Sequence, residues 1–253
     1  MNPAHRHRLL SAIIFLLVLL GWQAVVSLGL YPEHLFPSPA AVTTGFRELL
    51  SSGELWEYSW VSLLRFAAGY GLAAVLALPL GLLFGRWKLL WRAIDPLIQI
   101  LRPISPIAWF PLISLWFGIG NLPAVVIIFL AAFYPILLST VAAVRSVPEN
   151  YLRVARNYGA TPSRTLREVI VPAAFPQIAV GLHIAIGSAW VFLVAGEMLG
   201  VRSGLGYLII DSRNNLRTDL VLVGIILIGL SGLAIDRAVG LAERWIKRQW
   251  GTA

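Results

Sequence analysis

Long apolar blocks, separated by short stretches rich in proline, glycine and charge, make up most of this chain. The first runs almost unbroken from Leu9 to about Leu30, and comparable blocks cover roughly 60–85, 96–117, 122–144, 170–199 and 219–240. Their apolar residues fill every face instead of one stripe, the pattern of helices solvated by lipid. At about 1.5 Å per residue the first block covers roughly 33 Å, enough to cross a hydrocarbon core of about 30 Å. His5, Arg6, His7 and Arg8 precede it. The block exceeds a signal-peptide core of about 7–15 residues and ends on no small-x-small cleavage pattern, so it is expected to be a retained span. The pattern predicts an all-α polytopic membrane protein, one domain over residues 1–253 with about six transmembrane helices.

The edges of the blocks carry local signals. Asp95-Pro96 has the form of an N-cap followed by proline at the first helical position, which would start the third span there. Gly118 and Gly120-Asn121 would end that span and turn the chain. Pro103, Pro106 and Pro111 interrupt the third span, and Pro135 the fourth. Broken helices line transport pathways in some bundles and are plain kinks in others. The fifth block is too long for one straight crossing, so its first turns either lie outside the membrane or tilt. In the second block Ala73, Ala77, Gly81 and Gly85 recur every fourth residue. That stripe of small side chains suits close helix contact, within one subunit or between two.

Charge then orients the bundle. With the N-terminus inside, fourteen of the twenty basic residues fall on cytoplasmic segments (Arg6, Arg8, Arg86, Lys88, Arg92, Arg145, Arg153, Arg156, Arg164, Arg167, Arg237, Arg244, Lys247 and Arg248). Four fall outside (Arg47, Arg202, Arg213, Arg217), and Arg65 and Arg102 lie in spans. This bias predicts that both termini are cytoplasmic. It also accounts for the net charge of +8 without nucleic acid. Trp56 and Trp60 at one edge, and Trp87, Trp91 and Trp245 at the other, fit interfacial belts. Composition agrees: 58% of residues are hydrophobic and 13% charged, against about a quarter charged in soluble domains. The absence of cysteine excludes disulfides and thiol chemistry.

The loop at 145–169, between the fourth and fifth spans, is then cytoplasmic and built from recognisable parts. Ser146-Val-Pro-Glu149 reads as a capping box that starts a short helix at Pro148. Gly159 is placed to end that helix, and Thr161-Pro162 to start another. Arg153 and Arg156 share a face that either meets acidic groups on a partner or is simply solvated.

Inside the blocks, Arg102 either snorkels to the cytoplasmic face or draws an anion into an inward pathway. Glu197 is a candidate functional acid, or it makes a structural bond to Arg202 or to the loop that follows. His183 reads as an interhelical hydrogen-bonder, because no His, Asp or Glu has metal spacing with it. No catalytic residue and no metal site is expected. No phosphate-binding G-x-x-x-x-G-K-[ST], H-E-x-x-H or G-x-S-x-G occurs, and Gly204-Leu-Gly206 reads as a turn. Uphill movement would therefore draw on an ion gradient or on another subunit.

The loop resembles the cytoplasmic motif E-A-A-x₃-G-x₉-I-x-L-P of permeases in ATP-binding-cassette importers. Ala155 matches its second alanine, Gly159 its glycine, Val169 and Val171 its isoleucine and leucine positions, and Pro172 its proline. Arg153 stands at the glutamate and Val154 at the first alanine, with Glu149 one turn earlier as a substitute acid. The stretches LFPSPAAV (35–42), LWFGIG (115–120) and GEMLGVRSGLGYLI (196–209) resemble the subgroup importing sulfonates, taurine or nitrate. The resemblance implies a bacterial inner-membrane permease that acts as a homodimer. Its partners would be two copies of a cytoplasmic ATPase subunit, which binds the ATP and Mg²⁺, an extracytoplasmic solute-binding protein, and lipid. It assigns Glu149, Arg153, Ala155, Arg156, Gly159, Ala160 and Pro172 to the coupling loop, and leaves Arg102, Pro106 and Glu197 as pathway candidates. The alternative is a self-sufficient gradient-driven transporter or intramembrane enzyme.

Overall fold

The computed structural model describes residues 3–249, with side-chain surroundings for 9–241. The side chains of Arg6, Arg8, Arg244, Trp245, Lys247 and Arg248 lie outside that range. Among the described residues every regular element is helical: α1 (Pro3–Ser27), α2 (Pro39–Ser52), α3 (Glu54–Arg86), α4 (Lys88–Leu101), α5 (Phe110–Phe117, entered through a 3₁₀ turn Pro106–Trp109), α6 (Asn121–Ser146), α7 (Glu149–Asn157), α8 (Pro162–Thr165), α9 (Val171–Gly200, entered through a π-turn Leu166–Ile170), α10 (Leu205–Asn214) and α11 (Thr218–Gln249). Among the described residues five helical runs are long and apolar enough to cross a membrane, or six if the broken pair α4–α5 is one span.

The core is α3 against α6 and α6 against α9. The small-residue stripe of α3 is spent on this contact: Ala73 and Ala77 are fully buried, a side chain at Gly81 would strike Thr140, and one at Gly85 would strike Val144. The stripe therefore seats two helices of one chain. Van der Waals contact at this spacing replaces the hydrophobic effect, which lipid does not supply between apolar helices.

Two expectations need correction. The third span does not begin at Asp95-Pro96. Helix α4 starts at Lys88 and runs through Pro96, with Asp95 inside it accepting a bond from Gln99 Nε2 at 3.2 Å. The carbonyl that Pro96 leaves free belongs to Arg92, an exposed residue, so it need not be satisfied by the helix. The real break comes after Leu101, where Pro103 and Pro106 lack donors and Ser105 is extended (ψ 133°) ahead of Pro106. There the chain turns by 84°. Second, Pro135 does not interrupt α6. It frees the Ala131 carbonyl, which accepts instead from Ser188 Oγ of α9 at 3.3 Å. The fifth block is continuous helix from Pro162 to Gly200, 39 residues, with the π-turn just ahead of Pro172.

Helix α1 touches the bundle near its end, where Trp22 Nε1 donates to the Pro37 carbonyl at 3.0 Å. Ser38 caps α2 by accepting from the Ala41 amide, with Pro39 at N1. Arg217 ties α2 to the start of α11, bonding Glu48 at 2.6 Å and Asp219 at 2.9 Å.

Candidate functional site

Helix α7 is fastened on one face and bare on the other. Ala155 is buried and Leu152 half-buried. Leu152 and Leu166 pack on a small core of Ala143, Val144, Val147, Ile170, Ala174 and Ile178, which joins the end of α6 to the base of α9. Flanking Ala155 the helix carries Tyr151 (55% exposed), Val154 (54%) and Tyr158 (88%). Spaced three and four apart, these side chains form one outward stripe.

The ends of α7 are set by local chemistry. The expected capping box at Ser146 is not made. Helix α6 continues to Ser146, whose hydroxyl turns back to the Ala143 carbonyl (2.9 Å) and Gln177 Oε1 (2.8 Å). Pro148 is extended (ψ 134°) and α7 begins at Glu149. At the other end Gly159 has φ +72°. The Ala160 amide donates to the Ala155 carbonyl and the Gly159 amide to the Arg156 carbonyl, both at 3.0 Å. That is a Schellman cap, which selects glycine at the left-handed position. Thr161 Oγ1 accepts from the Arg164 amide at 3.3 Å and starts α8 with Pro162 at N1.

Arg153, at the motif's acidic position, pairs with Glu149 at 3.4 Å on the solvent side. The acid one turn earlier is therefore its partner along the helix. Arg156 Nε bonds its own helix at the Leu152 carbonyl, and Arg164 pairs with Glu168 at 2.9 Å. Ala160 is half-buried, and Pro172 sits in the first turn of α9. The loop residues thus form one connected piece from α7 to α9.

Arg102 and Pro106 come together and Glu197 does not join them. Arg102, at the end of α4, lines a cavity of about 650 Å³ with Ser105, Pro106, Tyr134, Ser139 and Gly181. It is the cation of that cavity, and no acid lines it. Gly181 leaves the room that Ser139 occupies, since a Cβ there would collide with the hydroxyl.

Glu197 belongs to a buried polar lock whose partners Arg65 and Ser62 sequence reasoning missed. Its side chain is fully covered, and Arg65 Nη1 donates to Oε1 at 2.7 Å. Ser62 Oγ lies 2.8 and 2.9 Å from its two oxygens, and the Gly206 amide donates to Oε2 at 2.9 Å. Arg65 also donates to the Ser203 carbonyl and hydroxyl (both 2.7 Å) and to Asn121 Oδ1 (2.6 Å). The expected partner Arg202 is not in the network, whereas the expected bond to the following loop is, through Gly206. Gly204, at φ +101°, is required here: a Cβ would run into the Glu197 carboxylate and the Arg65 guanidinium. The lock joins α3, the start of α6, the end of α9 and the start of α10. A signal existed, because Arg65 and Glu197 are opposite charges in apolar blocks and such groups pair. His183 Nε2 meets Asp236 at 2.7 Å, the interhelical bond expected of it.

Residues 77–248 match the family model described as "Binding-protein-dependent transport system inner membrane component". The chain is 36% identical to the putative aliphatic sulfonates transport permease protein SsuC of Bacillus subtilis, over 88% of this chain and 81% of that one. It is 39% identical to the bicarbonate transport system permease protein CmpB of Synechococcus elongatus, over 79% and 72% of the two chains. Among solved structures it resembles an inward-facing form of the MetNI methionine ABC transporter, with a TM-score of 0.56 and 23% identity over 71% of this chain and 93% of that one.

Proposed function

The chain belongs to the family of binding-protein-dependent transport system inner membrane components, and from that premise we propose that it is the permease subunit of an ATP-driven importer of a small oxyanion, an aliphatic sulfonate first among them. The observation that carries this reading is helix α7. Leu152 bolts it to the roots of α6 and α9, while Tyr151, Val154 and Tyr158 stand open to solvent alongside. A helix that ends in a Schellman corner and leads straight into a membrane span transmits a displacement; a slack loop would absorb it.

In this reading an ATPase subunit, one for each permease of a homodimer, seats the outward stripe of α7. Closure of the ATPase dimer around ATP and Mg²⁺ shifts α7 and with it the base of α9. Glu149, Arg153 and Arg156 rim the contact, Ala155 and Ala160 anchor it from below, and Gly159 and Pro172 set its corners. Both termini and this loop are cytoplasmic, as the distribution of basic residues favours. Solute arrives from an extracytoplasmic binding protein and passes the cavity at the α4–α5 break, where Arg102 offers a positive charge and Ser105, Tyr134 and Ser139 offer hydroxyls. A sulfonate, nitrate, bicarbonate or taurine headgroup presents the oxygens such a set would bind. Glu197 acts at one remove, holding the far ends of the helices in register.

Co-purification tests the docking. Val154→Asp combined with Tyr158→Asp is expected to release the ATPase subunit while the permease still inserts and melts as wild type. An intact, ATPase-active complex from that variant would overturn the reading.

A further inference from the structure

At the elbow between α3 and α4, four cations gather around an apolar floor. Arg86, Lys88, Arg92 and Arg145 line a cleft of about 600 Å³ whose base is Val144, Val147, Leu152 and Ile170, with Glu149 at its rim. Among the described residues none of the four has an ion-pair partner. Glu149 is engaged by Arg153. Arg145 is held in place, its guanidinium 5.2 Å from the Trp91 ring and 3.4 Å from the Phe84 carbonyl. The cleft therefore keeps a local positive excess facing outward.

A second, apolar groove of about 420 Å³ adjoins it, with Arg86 as a common wall. Pro79, Leu82, Leu83 and Trp87 line one side, and Pro162 and Leu166 of the coupling segment line the other. Beside both, Trp87, Leu89 and Leu90 project from the elbow, Leu89 being 81% exposed. An exposed tryptophan and leucines beside cations mark the depth of lipid headgroups. Cations without partners, an apolar slot running away from them, and a membrane-level elbow match one amphiphile.

We propose that this cleft and groove bind an anionic phospholipid of the cytoplasmic leaflet, its phosphate among Arg86, Lys88 and Arg92 and one acyl chain along Leu82, Leu83 and Leu166. Basic pockets between helices on that side of a membrane suit such headgroups. The site touches α7 through Leu152 and α8 through Pro162, so a bound lipid wedges the elbow against the coupling segment. The site depends on the cytoplasmic placement of this face, but lipid retention is read independently of transport.

The test is native mass spectrometry of the permease–ATPase complex released from nanodiscs of phosphatidylcholine containing phosphatidylglycerol. Wild type should retain phosphatidylglycerol, and the triple variant R86Q/K88Q/R92Q should lose it. At roughly fivefold per cation near the surface, retention should fall about a hundredfold. The charge-preserving R86K/R92K protein should hold the lipid, which separates lost charge from lost fold. Arg145 is left alone because it packs on Trp91. Equal retention by the triple variant overturns the proposal. Displacement by glycerol phosphate as effective as by whole lipid would assign the cleft to a free phosphate. Loss of the ATPase subunit with lipid retention unchanged would assign it to an acidic protein surface. Either result also refutes the proposal.

Discussion

Replacing Glu197 by Gln removes one charge from a site with no room to adapt. Arg65 is 4% exposed and Glu197 1%, and each carboxylate oxygen already meets two donor groups. The new amide would turn an N–H toward the Arg65 guanidinium or the Gly206 amide, donor against donor, and would leave the guanidinium without its counter-charge. Removing one partner of a buried ion pair costs about 3–5 kcal/mol. For a chain of this size about 1 kcal/mol moves the melting temperature by 2–4 °C, so Glu197→Gln should lower it on the order of 10 °C. Arg65→Met should do the same. The double variant Arg65→Met with Glu197→Gln should fall short of the sum by about 2 kcal/mol, because neither charge is then left alone. Thermal unfolding of the four purified proteins in one detergent, completed as a double-mutant cycle, checks this. A Glu197→Gln protein melting within 2 °C of wild type, or a cycle that simply adds, would refute the lock.

Gly159 is positive in φ but has open space around its Cα, so substitutions there test backbone alone. Asn, which tolerates the left-handed region, should preserve coupling, while Val should lower substrate-stimulated ATPase activity at least tenfold with bundle stability unchanged, read in reconstituted complexes. Gly181→Ala should destabilise the protein by about 1–3 kcal/mol in the same unfolding assay, because the methyl collides with Ser139. The bond from Arg217 holds the Glu48 carboxyl below its ordinary value of 4.5. Its contribution is therefore fully present above pH 4.5 and lost as pH falls through the depressed value. Hydrogen exchange of α2 should thus be unchanged from pH 7 to 5 once corrected for intrinsic rates, quicken in more acidic buffer, and lose this acid step in Glu48→Gln.

What the sequence made legible was local. The corner at Gly159, the cap at Thr161-Pro162 and the Gly118–Gly120 turn depend on neighbours a few residues away, and all are where the residues place them. The stripe on α3 was legible as a contact but not as to its partner, which only the meeting with Thr140 and Val144 reveals. Two start signals misled for the same reason. Asp95-Pro96 and Ser146-Val-Pro-Glu149 have the right letters, but α4 and α6 were already helical there, and an established helix overrides a new cap. The Arg65–Glu197 pair spans 132 positions. Charge in an apolar block told that each needed a partner, and nothing in the spacing told which.

On the proposed function, this permease is expected to move solute only when a separate ATPase drives it. Proteoliposomes holding the permease alone, or the permease with its ATPase subunit, with binding protein and labelled sulfonate outside and ATP enclosed, decide it by uptake. Accumulation should require the ATPase subunit, enclosed ATP and the binding protein together, and imposed proton or sodium gradients should add nothing. Accumulation by the permease alone under an ion gradient would contradict an ATPase-driven importer.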